Sequence, residues 1–240
     1  MLPLRSVDKP KKPPFVTRLL FALNIIAFVY QLILGGRTGL VYTMGVKPQC
    51  YFAPGSCGIS VPGETELLWQ PLFVSLFLHA GFLHLAFNLL FLWVFGAGVE
   101  DQLGKLKFTL FYFGCGVVAS LAHIITHPFS QVPTIGASGA IAGVLGAYLI
   151  LLPRSWILTY FPPIFLFPVP APLFLILWIV SQITSSLTHL PWLPGSSGTD
   201  IAWVAHIGGF AAGVAYAWSI KPWWKPRKQG KSGQGDRVRG

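Results

Sequence analysis

Charge is what this chain has least of. Only 10% of its 240 residues are charged, and just seven of those are Asp or Glu. A soluble domain carries nearer a quarter charged residues, so burial in a water-soluble core is the wrong frame. Metal-binding patterns are missing too. No His-Glu-x-x-His occurs, and Cys50, Cys57 and Cys115 lack zinc-ligand spacing, so neither a metal nor a cofactor is expected. No nucleic-acid recognition motif accompanies the net charge of +10, which removes the main ground for a nucleic-acid partner. No internal repeat is visible. A cleavable leader is not expected either. The first apolar run begins at Phe15, is too long for a leader core and has no small-x-small site after it, so it reads as a retained span.

What the chain has in quantity is apolar sequence: 53% hydrophobic and 15% aromatic residues, with a mean hydropathy of +0.63. The apolar residues gather into runs of helix-spanning length, which indicates an all-α polytopic membrane protein. Six spans are expected, at about Phe15–Leu34, Phe82–Val99, Phe108–Ile125, Ser138–Leu152, Pro172–Leu187 and Ile201–Ile220. Residues 1–14 read as a basic N-terminus, 15–220 as the membrane domain and 221–240 as a basic tail of disordered composition. The segment 151–172 carries five interior prolines and reads as a partly interfacial linker.

Basic residues set the orientation. With the N-terminus inside, fifteen of the seventeen Lys and Arg fall on inside segments, and only Arg37 and Lys47 fall outside. That is a strong positive-inside asymmetry, and the terminal clusters can also meet anionic lipid. Both termini are therefore expected in the cytoplasm. The long first outer loop, 35–81, has an apolar stretch at Leu67–Leu78 that can form interfacial helices. Cys50 and Cys57 lie in this loop, where a disulfide and two free thiols are both open readings. Cys115 lies mid-span and reads as a small packing residue.

Polar residues inside such spans are costly and mark function by default. Spans two, four and six all run from outside to inside in this orientation. Ser138 opens span four, His206 lies about five residues into span six, and His84 with Asn88 at i+4 sits at the outer end of span two. All four fall in the outer part of the membrane. Ser138 is the candidate nucleophile and His206 the candidate base. No acidic residue occupies the outer half of a span, and Asp200 lies only at the mouth of span six, so a dyad is favoured over a triad. The Asn88 amide, the His84 ring and the Ser138 backbone N–H are candidate oxyanion donors. Gly136, Gly139 and Gly143, with Gly209 and Gly213, form small-residue patterns that let spans four and six approach closely. Taken singly, each feature has a plainer reading: a packing serine, an interfacial histidine, an interhelical His84–Asn88 pair. His79, His123, His127 and His189 read as interfacial, and Glu100 as a structural tie.

Four segments together resemble the rhomboid family of intramembrane serine proteases. They are His79-Ala-Gly-Phe-Leu-His84-Leu-Ala-Phe-Asn88, Gly96-Ala-Gly-Val-Glu100-Asp-Gln-Leu-Gly104, Gly136-Ala-Ser138-Gly139 and Ala205-His206-Ile-Gly-Gly209-Phe-Ala-Ala-Gly213. The resemblance runs from about Trp69 to Gly213. It implies a six-helix rhomboid-like bundle with a partly helical first outer loop and a water-filled cavity opening outward. It implies a Ser138–His206 dyad, with His84, Asn88 and the Ser138 backbone around the oxyanion. It implies single-span membrane proteins as substrates, cut in or beside the span, and a loop before span six that caps the site while span five moves to admit substrate. Two positions depart from the family pattern. Ala142 stands where an aromatic often supports the base, so something else must hold the His206 ring. Trp69-Gln70 stands where Trp-Arg is common. The family also contains catalytically silent members that bind membrane clients; these typically lack the serine or the histidine, and this chain has both. A transporter or channel would need polarity along a whole path, and here it is confined to the outer third. The best-fitting host is a bacterial cytoplasmic membrane.

Overall fold

A computed structural model describes residues 1–8, 10–34, 39–53, 68–188 and 203–221. The apolar runs become helices. Strand β1 (Leu2–Ser6) precedes α1 (Phe15–Ile33). Three short helices follow: α2 (Gly39–Met44), α3 (Pro48–Phe52) and α4 (Trp69–Val74), the last extended by one 3-10 turn to Phe77. Next comes a continuous helical stretch from Phe82 to Leu103. It comprises α5 (Phe82–Phe91), a π-helical segment (Leu92–Gly96) and α6 (Ala97–Leu103). Then come α7 (Lys105–Thr126), α8 (Ser138–Leu151), strands β2 (Trp156–Phe161) and β3 (Phe165–Pro170), α9 (Ala171–Thr188) and α10 (Trp203–Ile220). Among the described residues, three helical stretches are long and apolar enough to cross a membrane: Phe15–Ile33, Phe82–Leu103 and Lys105–Thr126.

Helix α8 is the centre of the bundle. Every residue from Gly139 to Tyr148 is buried, and α8 packs most extensively on α10 and then on α7. Glycines make this possible. A Cβ on Gly209 would run into the Gly139 carbonyl, and one on Gly213 into the Gly143 carbonyl. The two backbones therefore touch directly, as small-residue faces allow where lipid supplies no hydrophobic drive for helix pairing. On a second side α8 meets α7 through the same kind of fit: a Cβ on Gly139 would lie 2.6 Å from the Ala119 Cβ. Toward α9 and the π segment the packing is aromatic, with Phe95 edge-on to Tyr148 at 5.1 Å and tilted against Phe174 at 5.8 Å.

Helix α1 is held by a charge. The Glu100 carboxylate is 4% exposed and accepts the backbone N–H groups of Val16 and Thr17 at 2.9 and 2.8 Å, and the Thr17 hydroxyl at 2.8 Å. The first-turn N–H groups of a helix lack intrahelical partners and favour an anion. Glu100 is thus a structural tie, as its sequence context suggests.

The expected all-α architecture needs one correction. Residues 156–170, expected as part of a partly interfacial linker, form a β-hairpin, and the N-terminal segment adds a third strand. The sheet order is β1-β2-β3, all antiparallel, with Trp156 opposite Pro170 and Phe161 opposite Phe165. Proline is tolerated because β3 is an edge strand, where a missing N–H costs no ladder bond. Strand β2 alternates, with Ile157 and Thr159 fully buried and Trp156 exposed, as a half-buried strand does. The Ser6 hydroxyl meets the Tyr148 hydroxyl at 2.9 Å and so ties the sheet to the far end of α8. The first loop is helical in parts, as α2, α3 and α4 show. Cys50 is disulfide-bonded and Cys115 is a buried free thiol; Cys57 lies outside the described residues. So do His189, Asp200 and the tail beyond residue 221.

Candidate active site

The loop before α8 is pinned before it delivers Ser138. Val46 and Thr134 exchange backbone hydrogen bonds at 3.0 and 2.8 Å, and the Gly136 N–H donates to the Ser75 carbonyl at 2.8 Å. Gly136 adopts φ +118°, a conformation open to glycine and strained for other residues. A Cβ there would also lie 2.7 Å from His84 Cε1 and 2.8 Å from His84 Nε2. Glycine at this position therefore serves twice, turning the chain into the helix and letting the His84 ring come close. Ser138 follows as the first residue of α8, so its N–H has no partner within the helix.

Helix α10 carries His206 one turn before Gly209, where α10 touches α8. The close backbone approach brings His206 Nε2 to 2.8 Å from Ser138 Oγ. Its other nitrogen, Nδ1, lies 2.8 Å from Gln182 Oε1 on α9. Two indole rings flank the imidazole. Trp178 is tilted at 38° and Trp203 stands edge-on at 85°, each with its ring centroid 6.1 Å away. Ala142 is fully buried in the α8 core. The support that a side chain at 142 cannot give comes from two other helices.

His84 and Asn88 lie on α5. The Ala80 N–H donates to His84 Nδ1 at 3.3 Å. An imidazole nitrogen that accepts leaves the proton on the other one, so His84 Nε2 is a donor, and it lies beside Gly136. One turn on, Asn88 is 6% exposed and its Nδ2 has no hydrogen-bond partner among the described residues; a Cβ on Gly136 would sit 3.6 Å from it. Buried amides are normally satisfied. This donor is held unpaired next to the loop that presents Ser138.

All of these side chains line one cavity of about 790 Å³, together with Gln182, Trp178 and Trp203. Ser138, His206, His84 and Asn88, four positions from three separate stretches of sequence, thus converge. The glycines of α8 and α10 form the contact behind them. His79 and His123 are both buried within the protein. The His79 backbone is clamped by the Gln31 amide, which donates to its carbonyl at 2.8 Å and accepts its N–H at 3.1 Å. The sequence reading did not single out Gln182, Trp178 or Trp203. Their signal was available in part: Trp178 and Gln182 are i,i+4 neighbours, and an amide in an apolar helix is unusual.

A bundle of apolar helices around a part-buried serine–histidine pair is a membrane-embedded fold of a recognisable class. The chain belongs to the rhomboid family, whose rhomboid domain matches residues 66–223. It is 39% identical over 146 residues to the rhomboid protease GluP of Bacillus subtilis, covering 60% of this chain and 26% of that protein. It is 33% identical over 155 residues to the mitochondrial rhomboid protein 1 of Saccharomyces cerevisiae, covering 61% of this chain and 40% of the yeast protein. A third relative is the mitochondrial presenilin-associated rhomboid-like protein of Mus musculus. It is 28% identical over 167 residues, covering 68% of this chain and 42% of the mouse protein. The chain therefore spans less than half the length of each of these relatives.

Proposed function

We propose that this chain is an intramembrane serine endopeptidase that cuts single-span membrane proteins in or near their transmembrane segment. The observation that carries the reading is the 2.8 Å contact between Ser138 Oγ and His206 Nε2 inside a cavity of the bundle. In the proposed mechanism Ser138 Oγ attacks the scissile carbonyl while His206 Nε2 takes its proton. Negative charge grows on the carbonyl oxygen and is met by Asn88 Nδ2, His84 Nε2–H and the Ser138 N–H. The tetrahedral intermediate collapses as His206 hands the proton to the leaving amine, and an ester remains on Ser138. Water then attacks that ester with His206 again as base, releasing the acid and restoring the serine.

The membrane setting follows from lengths and charges. Helix α8 has 14 residues, a rise of ~21 Å against a ~30 Å hydrocarbon core. A helix this short that ends at one membrane face begins below the other, which supports a Ser138 position under the surface. We read α1, α5–α6, α7, α8, α9 and α10 as six spans, with residues 1–14 and 221–240 as cytoplasmic ends, because that arrangement keeps fifteen of seventeen basic residues inside. The proposed host is a bacterial cytoplasmic membrane, since identity is higher to the Bacillus protein than to the two mitochondrial ones.

The test is cleavage of a transmembrane substrate by the purified chain, with Ser138→Ala and His206→Ala in parallel and a fluorophosphonate probe as a direct report on the serine. Cleavage and labelling by the parent, with both lost in each variant, is the expected result. A folded parent that neither labels nor cuts would leave the client-binding, catalytically silent reading in its place.

A further inference from the structure

The hydrogen bonds behind His206 form a chain with only one consistent direction. Ser181 Oγ lies 2.6 Å from the Trp178 carbonyl. A carbonyl only accepts, so the hydroxyl proton points there. Gln182 Nε2 lies 3.0 Å from Ser181 Oγ, and with the Ser181 proton already committed, the amide N–H must be the donor. That settles which way the Gln182 amide faces, and it turns Oε1 toward His206. Oε1 only accepts, so the 2.8 Å contact requires the proton on His206 Nδ1. Nε2 is then an unprotonated acceptor, 2.8 Å from Ser138 Oγ.

From this geometry we infer that Gln182 is a positioning residue for the reaction, the third member behind the Ser138–His206 pair, acting with Ser181 to hold His206 in the tautomer that can take the serine proton. The inference rests on the endopeptidase reading for its role in catalysis. The Gln182 amide bonds to His206 through Oε1 and to Ser181 through Nε2, and not to the serine nucleophile. Its amide does not receive a proton: the Ser138 proton travels to Nε2 and on to the leaving amine, while the Nδ1 proton stays in its bond to Oε1. The side chain is 7% exposed, so water does not compete freely for that bond. Trp178, one turn earlier on α9, leans on the same imidazole. Helix α9 thus supplies both the ring contact and the tautomer control. This arrangement replaces the carboxylate of a triad with a neutral acceptor, which avoids placing a charged side chain within the membrane.

The experiment uses the full chain in detergent, with Gln182→Met (similar length, no acceptor), Gln182→Glu (acceptor retained) and Ser181→Ala. Two readouts are taken: kcat and KM on a transmembrane substrate, and the ¹⁵N shifts of His206, which distinguish Nδ1–H from Nε2–H. For Gln182→Met, kcat is expected to fall roughly ten- to a hundredfold, within the ~100- to 10,000-fold that acid–base assistance supplies in all. KM is expected to stay within about a factor of two, because both ends of the Gln182 amide are taken up by His206 and Ser181. His206 should lose its uniform Nδ1–H state. Gln182→Glu restores both readouts, and Ser181→Ala gives a smaller loss in the same direction. A Gln182→Met protein with parental kcat, or with reduced kcat but an unchanged tautomer, overturns the inference. A parent that is inactive, yet shows Nδ1–H on His206 that Gln182→Met removes, refutes the endopeptidase reading and leaves the tautomer control standing.

Discussion

Asn88→Ala is expected to lower activity without lowering stability, and the two effects can be worked out separately. The Asn88 amide nitrogen is buried and has no partner among the described residues. An unsatisfied buried donor costs the folded state ~1–3 kcal/mol, and truncation to alanine removes that cost. The side chain lines a cavity, so its loss widens an existing space and opens no new void in the α8 core. Stability should therefore be unchanged or higher by up to about 2 kcal/mol. The transition state loses one preorganised donor, which is worth about 100- to 1,000-fold in kcat. Asn88→Asp makes the contrast sharper, because an ionised carboxylate keeps the shape but presents only acceptors to a developing oxyanion. The assay pairs kcat on a transmembrane substrate with unfolding of the same preparations in detergent. Asn88→Ala with parental kcat would refute the oxyanion role. A protein destabilised by more than about 2 kcal/mol would show instead that Asn88 is a structural hydrogen-bonding residue.

Two further substitutions test the scaffold. Gly209→Ala places a methyl against the Gly139 carbonyl, so α10 must move off α8. A cost of about 3 kcal/mol is expected, at the upper end for overpacking, together with loss of serine labelling because His206 rides on the same helix. Gly114→Ala is the control: its Cβ meets nothing within 4 Å among the described residues, and a helix-interior alanine is expected to add up to ~1 kcal/mol. Equal thermal midpoints for the two variants would contradict the close α8–α10 contact. Glu100→Ala strands two backbone donors and a buried hydroxyl at the start of α1 and is expected to cost about 3 kcal/mol or more, since bonds to a charged group carry ~1.5–3 kcal/mol each. Glu100→Gln, which keeps one acceptor oxygen, should fall between the two in the same unfolding assay.

The helices and the site were legible in the sequence to different depths. Apolar length set the helices, because a chain that cannot leave its backbone groups unpaired in lipid must coil them. Ser138, His206, His84 and Asn88 stood out as polar residues in apolar runs. Strand β2 did not stand out. Its alternation spans only six residues, and the prolines of the hairpin read as breaks until β3 was seen to be an edge. The partner of β1 lies some 150 residues away along the chain, and local pattern carries no information about such a pairing. Gln182 escaped for a related reason. An amide among Ser and Thr residues on α9 has no distinctive spacing to Ser138 or His206, and its meaning depends on which way the helix is turned.

By itself, the sequence determined that this chain is a membrane-embedded helical protein, which of its ends are basic, and which polar residues are candidates for chemistry. Those properties are carried by composition and local spacing. Only the tertiary structure decided how the His206 ring is held. That depends on the rotation of α9 about its own axis, which turns Trp178 and Gln182 toward the imidazole, and on the direction of a hydrogen-bond chain that starts at a single backbone carbonyl. Rotation and bond direction are properties of packed helices, and no residue pattern along one segment encodes them.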